Sequence, residues 1–328
     1  MTGRSPKVVV IGGTYVDMAV RCSRLPTSGQ SVVGSALSYS AAGPGPNQAA
    51  QAALCGCEVH LISKVGGDPF AEMARKCLEE FKIDTEFVYT AEAKNTGVVV
   101  TLVGGTGENA ACFYAGANAA LGPQDIEAAE QVISDADILL IHGGLPHEAV
   151  VQAIRCAGVH GTKIILNPAR PVESRCAGVN AEGDLPMEFF AADILVTNLC
   201  EAAEITDTSG ATIRTAKMIG SDLVSRGVNY AVITMGKRGC MVVDRDRADQ
   251  IPSFDVELVD QAGSGDAFAG ALAASCAVGD DIRQAAIFAS AAGALACSKF
   301  GSIEAMPTKA EIIELLQKED IDILPGGS

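Results

Sequence analysis

"ADILLIHG", Ala136–Gly143, is a four-residue apolar run that starts after an acid and ends on glycine. "TKIILNP" (Thr162–Pro168), "ADILVTN" (Ala192–Asn198) and "NYAVITMG" (Asn229–Gly236) repeat the pattern. Each run is too short for a helix and too continuous for a half-exposed strand, so each predicts a strand buried on both faces. Helical segments alternate with them: His147–His160, Cys200–Ile205 and Thr212–Arg226. Strand and helix in alternation predict a doubly wound α/β fold, mostly parallel, with helices on both faces.

Upstream, Lys7–Ile11 (KVVVI) predicts another buried strand, ending on Gly12-Gly13. Ser31–Tyr39 and Thr96–Val103 read as strands of a different kind. Gly104–Glu108 sits between two apolar arms and predicts a β-hairpin. The segments at roughly 16–42 and 94–116 therefore predict a small β-sheet lid inserted into one domain spanning 1–328. Downstream, Gly265–Val278 and Asp281–Lys299 predict two long helices, rich in Ala and Gly, that close the core.

Composition bounds the function. The 328 residues carry 48% hydrophobic and 20% charged residues, ordinary for a globular protein. No apolar run reaches membrane length, and Met1–Lys7 lacks the apolar core of a signal peptide. The net charge of −16, without a Lys/Arg cluster, argues against a nucleic-acid partner. Eleven cysteines in mostly apolar surroundings read as reduced, buried thiols of a cytoplasmic protein. Cys55 and Cys57 have no second pair at zinc-ligand spacing. The four histidines show no such spacing either, and His142 reads as a core residue or a neighbour of substrate. "GGTYVD" lacks the third glycine of a dinucleotide turn, and no Walker motif occurs.

The chemistry concentrates in "DQAGSGDAFAG", Asp260–Gly270. The strand-like "DVELVD" (Asp255–Asp260) precedes it and a helix follows. Ala262, Gly263, Ser264 and Gly265 can aim several amides in one direction, aided by the positive end of the helix. Such a nest suits charge developing on a phosphoryl group. Asp266, in the first turn, is placed to accept a proton. The plainer alternative is a helix cap at Ser264 or Asp266.

"AGSGDAFAGAL" resembles the C-terminal motif of the ribokinase family of carbohydrate kinases, also called the phosphofructokinase B-type family. "AAGPGPNQAA" (Ala41–Ala50) is similar to its N-terminal Gly-Gly-x-Gly-x-Asn motif. "YAGANAALGP" (Tyr114–Pro123), "IILNPA" (Ile164–Ala169), "TNLCEAAEIT" (Thr197–Thr206) and "ITMGKRG" (Ile233–Gly239) follow in family order, so the resemblance covers nearly the whole chain.

The resemblance implies an ATP-dependent sugar kinase, with Asp266 as base and 262–265 as anion hole. It implies Asn198 and Glu201 placing Mg²⁺ through water, and Thr234, Gly236 and Gly239, with Asn198, lining the nucleotide site. It implies Asp17, Gly43 and Asn47 at the sugar. A potassium site is implied at Asp260, Ala262, Ala296, Lys299 and Gly301, although Ala305 stands where potassium-using relatives tend to carry a Ser oxygen. A homodimer through the lid is implied as well.

Three departures cluster at the sugar end. Tyr15 replaces an Asn two residues before Asp17. Pro44, with Pro46 nearby, replaces a Lys. Gly144 stands near the place of a sugar-contacting Glu. Tyr15 offers a ring that can stack on a flat or apolar group, so a nucleoside kinase stays open beside a pentose kinase. A non-catalytic sugar or nucleotide sensor is the third reading. The pentose reading requires backbone groups and waters to replace the lost contacts.

Overall fold

The computed structural model describes residues 4–106, 108–169, 185–210 and 212–321. Gly107, in the expected hairpin turn, lies outside them.

The first strand, β1 (Lys7–Ile11), shows why the main sheet is two-sided. Val8 and Val10 face one core while Val9 and Ile11 face the other, and all four are fully buried. Each such side chain contributes about 1.5–3 kcal/mol. The chain then leaves the main sheet as β2 (Tyr15–Cys22) and β3 (Gly34–Ala42) and returns in α1 (Pro44–Leu54), β4 (Glu58–Gly66), α2 (Pro69–Glu80) and β5 (Val88–Ala91). It leaves again as β6 (Gly97–Val103) and β7 (Asn109–Tyr114).

From α3 (Pro123–Ala128) and α4 (Glu130–Ser134) the alternation is regular: β8 (Ile138–His142), α5 (His147–His160), β9 (Lys163–Asn167) and β10 (Ile194–Asn198). Next come α6 (Leu199–Ile205), α7 (Ile213–Arg226), β11 (Tyr230–Thr234), β12 (Cys240–Val243) and β13 (Ala248–Ile251). The chain ends in α8 (Ser264–Val278), α9 (Ile282–Cys297) and α10 (Lys309–Lys318).

The main sheet has nine strands in the order β13-β12-β11-β10-β9-β8-β1-β4-β5. It is parallel except at β12 and β13, which pair antiparallel. Helices α1, α2, α8, α9 and α10 pack on one face; α3 to α7 cover the other. The small separate sheet runs β3-β2-β6-β7, with β2 and β6 parallel and both outer pairs antiparallel. The doubly wound expectation and the extra small sheet are both present.

Two differences matter for the site. Asp255–Asp260, expected as a strand, is irregular. The amides of Val259 and Asp260 both donate to the Cys297 carbonyl at the end of α9, at 2.9 and 3.1 Å, instead of to a neighbouring strand. The alternation D-V-E-L-V-D mimicked a strand, but Val256 and Leu258 face a cleft, not a core. Two further four-residue strands, β12 against β11 and β13 against β12, are not among those the sequence predicts. Of the ten cysteines described, all free, Cys112 and Cys200 are exposed, unlike the buried expectation.

Candidate active site

The site forms where α1 and α8 meet beyond the carboxyl ends of the central strands. Close backbone approach makes this possible. A Cβ on Gly45 would lie 2.7 Å from the Gly12 carbonyl oxygen, so α1 can cross the end of β1 only with glycine there. Gly43 (φ 109°) turns the chain from β3 into α1, and Pro44 opens the helix. On the other side, a Cβ on Gly270 would meet the Gln48 carbonyl oxygen at 2.5 Å. The two helices are therefore in backbone contact.

That contact delivers two amides to Asp266. Asn47 Nδ2 donates to Asp266 Oδ2 at 2.8 Å, and Gln48 Nε2 donates to Asp266 Oδ1 at 3.0 Å. Asn47 is 4% exposed and Gln48 fully buried. Burial raises the Asp266 pKa above the usual carboxylate range, while the two amide donors pull it back down. The carbonyl oxygens of Asn47 and Gln48 are buried without a partner among the described residues. Asn47 is among the residues the sequence motif marks; Gln48 is not, and its one signal is its place beside Asn47.

Immediately before Asp266, Gly263 adopts φ 72° and caps α8. Of the four expected anion-hole amides, two are engaged internally. Ala262 N–H donates to Asp260 Oδ1 at 3.0 Å and Ser264 N–H to the Gln261 carbonyl at 3.3 Å. The Gly263 and Gly265 amides have no acceptor among the described residues. A Cβ on Gly265 would meet nothing within 4 Å, so this edge of the helix is open.

It opens onto a cleft of about 350 Å³. Thr234, Gly236, Lys237 and Gly239 line one wall, Ser264 and Gly265 the other, with Phe254, Leu258 and Phe268 supplying apolar surface. All three turn residues expected at a nucleotide are thus in one cavity with two of the residues expected at the anion hole. Asn198 is the register neighbour of Thr234 on β10. Its Oδ1 accepts from the Glu201 amide at 2.9 Å, capping α6, and Glu201 Oε2 lies 3.3 Å from Thr197 Oγ1. Both stand at the carboxyl edge of the sheet outside the cleft lining.

Of the residues expected at the sugar end, Asp17 and Tyr15 lie on the small sheet, whereas Gly43 caps α1 and Asn47 lies within it. Asp17 is on β2, with Oδ1 buried and without a partner among the described residues. Burial raises its pKa, a hydrogen bond from Thr101 opposes this, and the charges of Glu304 and Asp260 add to the rise. Tyr15 is 5% exposed, and Cβ atoms placed on Gly13, Gly43 or Gly97 would each lie within 3 Å of its ring. The ring fills a glycine cradle and does not present an open stacking face. His142 Nδ1 accepts from the Gly144 amide at 3.3 Å.

The five residues at which the resemblance implies potassium are linked by hydrogen bonds or chain proximity around Asp260. Its Oδ2 accepts from the Gly301 amide at 3.3 Å, the Ala296 carbonyl accepts from the Lys299 amide, and Lys299 Nζ pairs with Glu311 at 2.7 Å.

A family profile described as "pfkB family carbohydrate kinase" matches residues 5–309. The chain belongs to the pfkB family of carbohydrate kinases. Within this family it is 32% identical over 269 residues to ribokinase from Mus musculus, covering 81% of this chain and 80% of that protein. It is 30% identical over 318 residues to a bifunctional ribokinase/ribose-5-phosphate isomerase A from Fructilactobacillus sanfranciscensis. That match covers 96% of this chain but 57% of the bifunctional protein. The structure of Arabidopsis thaliana ribokinase complexed with ribose and ATP superposes with a TM-score of 0.85, covering 96% of this chain and 99% of that one. At 23% identity this likeness speaks for the pfkB fold.

Proposed function

We propose that the protein is an ATP-dependent sugar kinase that phosphorylates a primary hydroxyl of a pentose or related carbohydrate. One observation carries this reading: Asp266 stands beside the unpartnered Gly263 and Gly265 amides at the mouth of the cleft lined by Thr234, Gly236 and Gly239. ATP occupies that cleft, with its γ-phosphate toward the glycine amides. Asp266 takes the proton of the acceptor hydroxyl. The acceptor oxygen bonds to the γ-phosphorus and the bond to the ADP oxygen breaks. The two amides and the α8 N-terminus stabilise the charge on the phosphoryl oxygens. A positioned base contributes about 10²–10⁴-fold to such a step.

Asn198 and Glu201 offer only oxygen donors, which suit Mg²⁺ held through water. When bound, Mg²⁺ supplies charge neutralisation at the phosphates. Asp17, Asn47 and the Gly43 turn hold the sugar. The buried, unpartnered oxygens of Asp17 and Asn47 suit sugar hydroxyls, which donate. The enclosed Tyr15 ring favours a sugar over a nucleoside base. The carbonyl-rich neighbourhood of Asp260 supports potassium activation. The small sheet acts as the lid. Leu37, Tyr39 and Val100 are exposed on one of its faces, by register and alternation, and support pairing with a second copy. We place the enzyme in the cytoplasm, where ATP and reduced thiols coexist.

ADP release by the purified protein, screened over ribose, deoxyribose, other sugars and nucleosides with and without K⁺, tests the reading. Turnover with a pentose supports it. Turnover with nucleosides alone moves the assignment to a nucleoside kinase. Thermal shifts without any turnover identify a sensor. Sedimentation before and after Tyr39→Asp reads the dimer.

A further inference from the structure

The geometry points to Gln48 as the positioning residue that holds Asp266 as a competent base, a role distinct from the sugar contact of its neighbour Asn47. The inference rests on the base assignment proposed above.

The two amides differ in what they are free to do. Asn47 donates to Oδ2 from the first turn of α1, next to the Gly43 turn where the small sheet joins the main body. Gln48 donates to Oδ1 from a fully buried position, and its own backbone carbonyl is wedged against Gly270. Gln48 is therefore fixed to α8 by main-chain contact, while Asn47 sits at the edge where substrate enters. An acceptor hydroxyl donating to Oδ2 competes with Asn47, whose carbonyl oxygen is unpartnered and suits the hydroxyls of the same substrate. Gln48 keeps its bond to Oδ1 throughout. It holds the carboxylate plane, and so the direction of the Oδ2 lone pairs, as the proton moves.

The amide orientation is not arbitrary. Turning Gln48 over would set its carbonyl oxygen against a carboxylate oxygen. Its Nε2 thus stays on Asp266 while its Oε1 stays without a partner, a buried polar cost retained in the fold. A residue serving packing alone would be better as leucine or methionine at this position.

Gln48 also sets when the base is charged. The influences on Asp266 are burial, Asn47 and Gln48, with no charged side chain among them. The elements packed on α8 carry few titratable groups: none on α1, Arg283 and Cys297 on α9, Lys7 on β1, and His142 on β8, with Asp260 in the preceding loop, Glu304 in the turn against Gly263 and Cys276 on α8 itself. Removing the Gln48 donor leaves a desolvated carboxylate with one stabilising bond fewer, so its pKa rises. A hydrogen bond to a charged group corresponds to about one to two pH units.

The test compares pH profiles of the single-turnover phosphorylation rate for the wild type, Gln48→Leu and Gln48→Glu, using the sugar identified by the screen. Titration of ATP is common to all three and cancels. Gln48→Leu should move the acid limb upward by about one to two pH units. The rate should recover toward wild type above the limb, with KM for sugar changed less than about twofold. Gln48→Glu, which sets a second acid against Asp266, should move the limb further. Gln48→Met is the second variant if leucine does not fold, with thermal midpoints checked for each. A folded variant with an unmoved limb, a pH-independent loss, or an effect confined to KM overturns the positioning role. Asp266→Asn separates the two claims. Full activity in that variant removes the base assignment itself; loss of activity beside an unmoved Gln48→Leu limb removes only the role of Gln48.

Discussion

Replacing Asp266 by Asn is the sharpest perturbation of this site, because the surroundings accept the change and the chemistry does not. The carboxylate now receives Asn47 Nδ2 at 2.8 Å and Gln48 Nε2 at 3.0 Å. An amide at this position would set an NH₂ group against one of these donors. Asn47 and Gln48 each carry a buried carbonyl oxygen with no partner, so a flip of either amide restores a donor–acceptor pair. The fold should therefore tolerate the variant, with a change in stability of at most about 1 kcal/mol. The base is lost outright, since an amide has no basic oxygen lone pair at neutral pH. The loss should be about 10²–10⁴-fold in kcat, or about 2.7–5.4 kcal/mol of barrier. KM for ATP should stay near wild type, because the cleft lining does not include Asp266. Steady-state ADP release together with a thermal melt measures both quantities. A folded Asp266→Asn protein retaining more than about a tenth of wild-type kcat would refute the base role.

Gly265→Ala meets no atom within 4 Å and removes a helix glycine, so it should raise stability by up to about 1 kcal/mol. Its methyl would crowd the amides facing the cleft, and kcat should fall about 10²-fold in the same ADP assay. Gly45→Ala should cost about 1–3 kcal/mol, seen as a drop of several degrees in Tm, because its Cβ would lie 2.7 Å from the Gly12 carbonyl. Arg283 bridges Asp244 and Asp249, and hydrogen bonds from the Arg247 amide and Arg283 hold the Asp244 pKa down to about 2. A depressed carboxylate stabilises the fold above its unfolded pKa, so this stability is present at pH 7. It should be lost as pH falls from about 4 toward 2. Urea titrations across that window should show a steeper loss in the wild type than in Arg283→Met.

The parallel strands were legible because burial on both faces leaves an uninterrupted apolar run, as in Ile138–Ile141 and Ile194–Val196. The small sheet was legible because its hairpin returned on itself across a glycine turn. "DVELVD" misled because alternation also arises where a segment has a cleft on one side and solvent on the other. The strands β12 and β13 were too short to show any period. Asp266 and its glycines were readable as a local motif. The Gln48 bond was not, since it joins residues 218 positions apart through a helix crossing that only close backbone packing at Gly270 permits.

The double hydrogen bond on Asp266 bears on waste as well as on transfer. Before a sugar arrives, both carboxylate oxygens are satisfied by amides of the protein itself. A stray water that reaches the γ-phosphate must then compete with these amides for the carboxylate. On the proposed base role, a molecule with several hydroxyls repays the displacement of Asn47 better than a single water does, which disfavours futile hydrolysis of the nucleotide in the resting site.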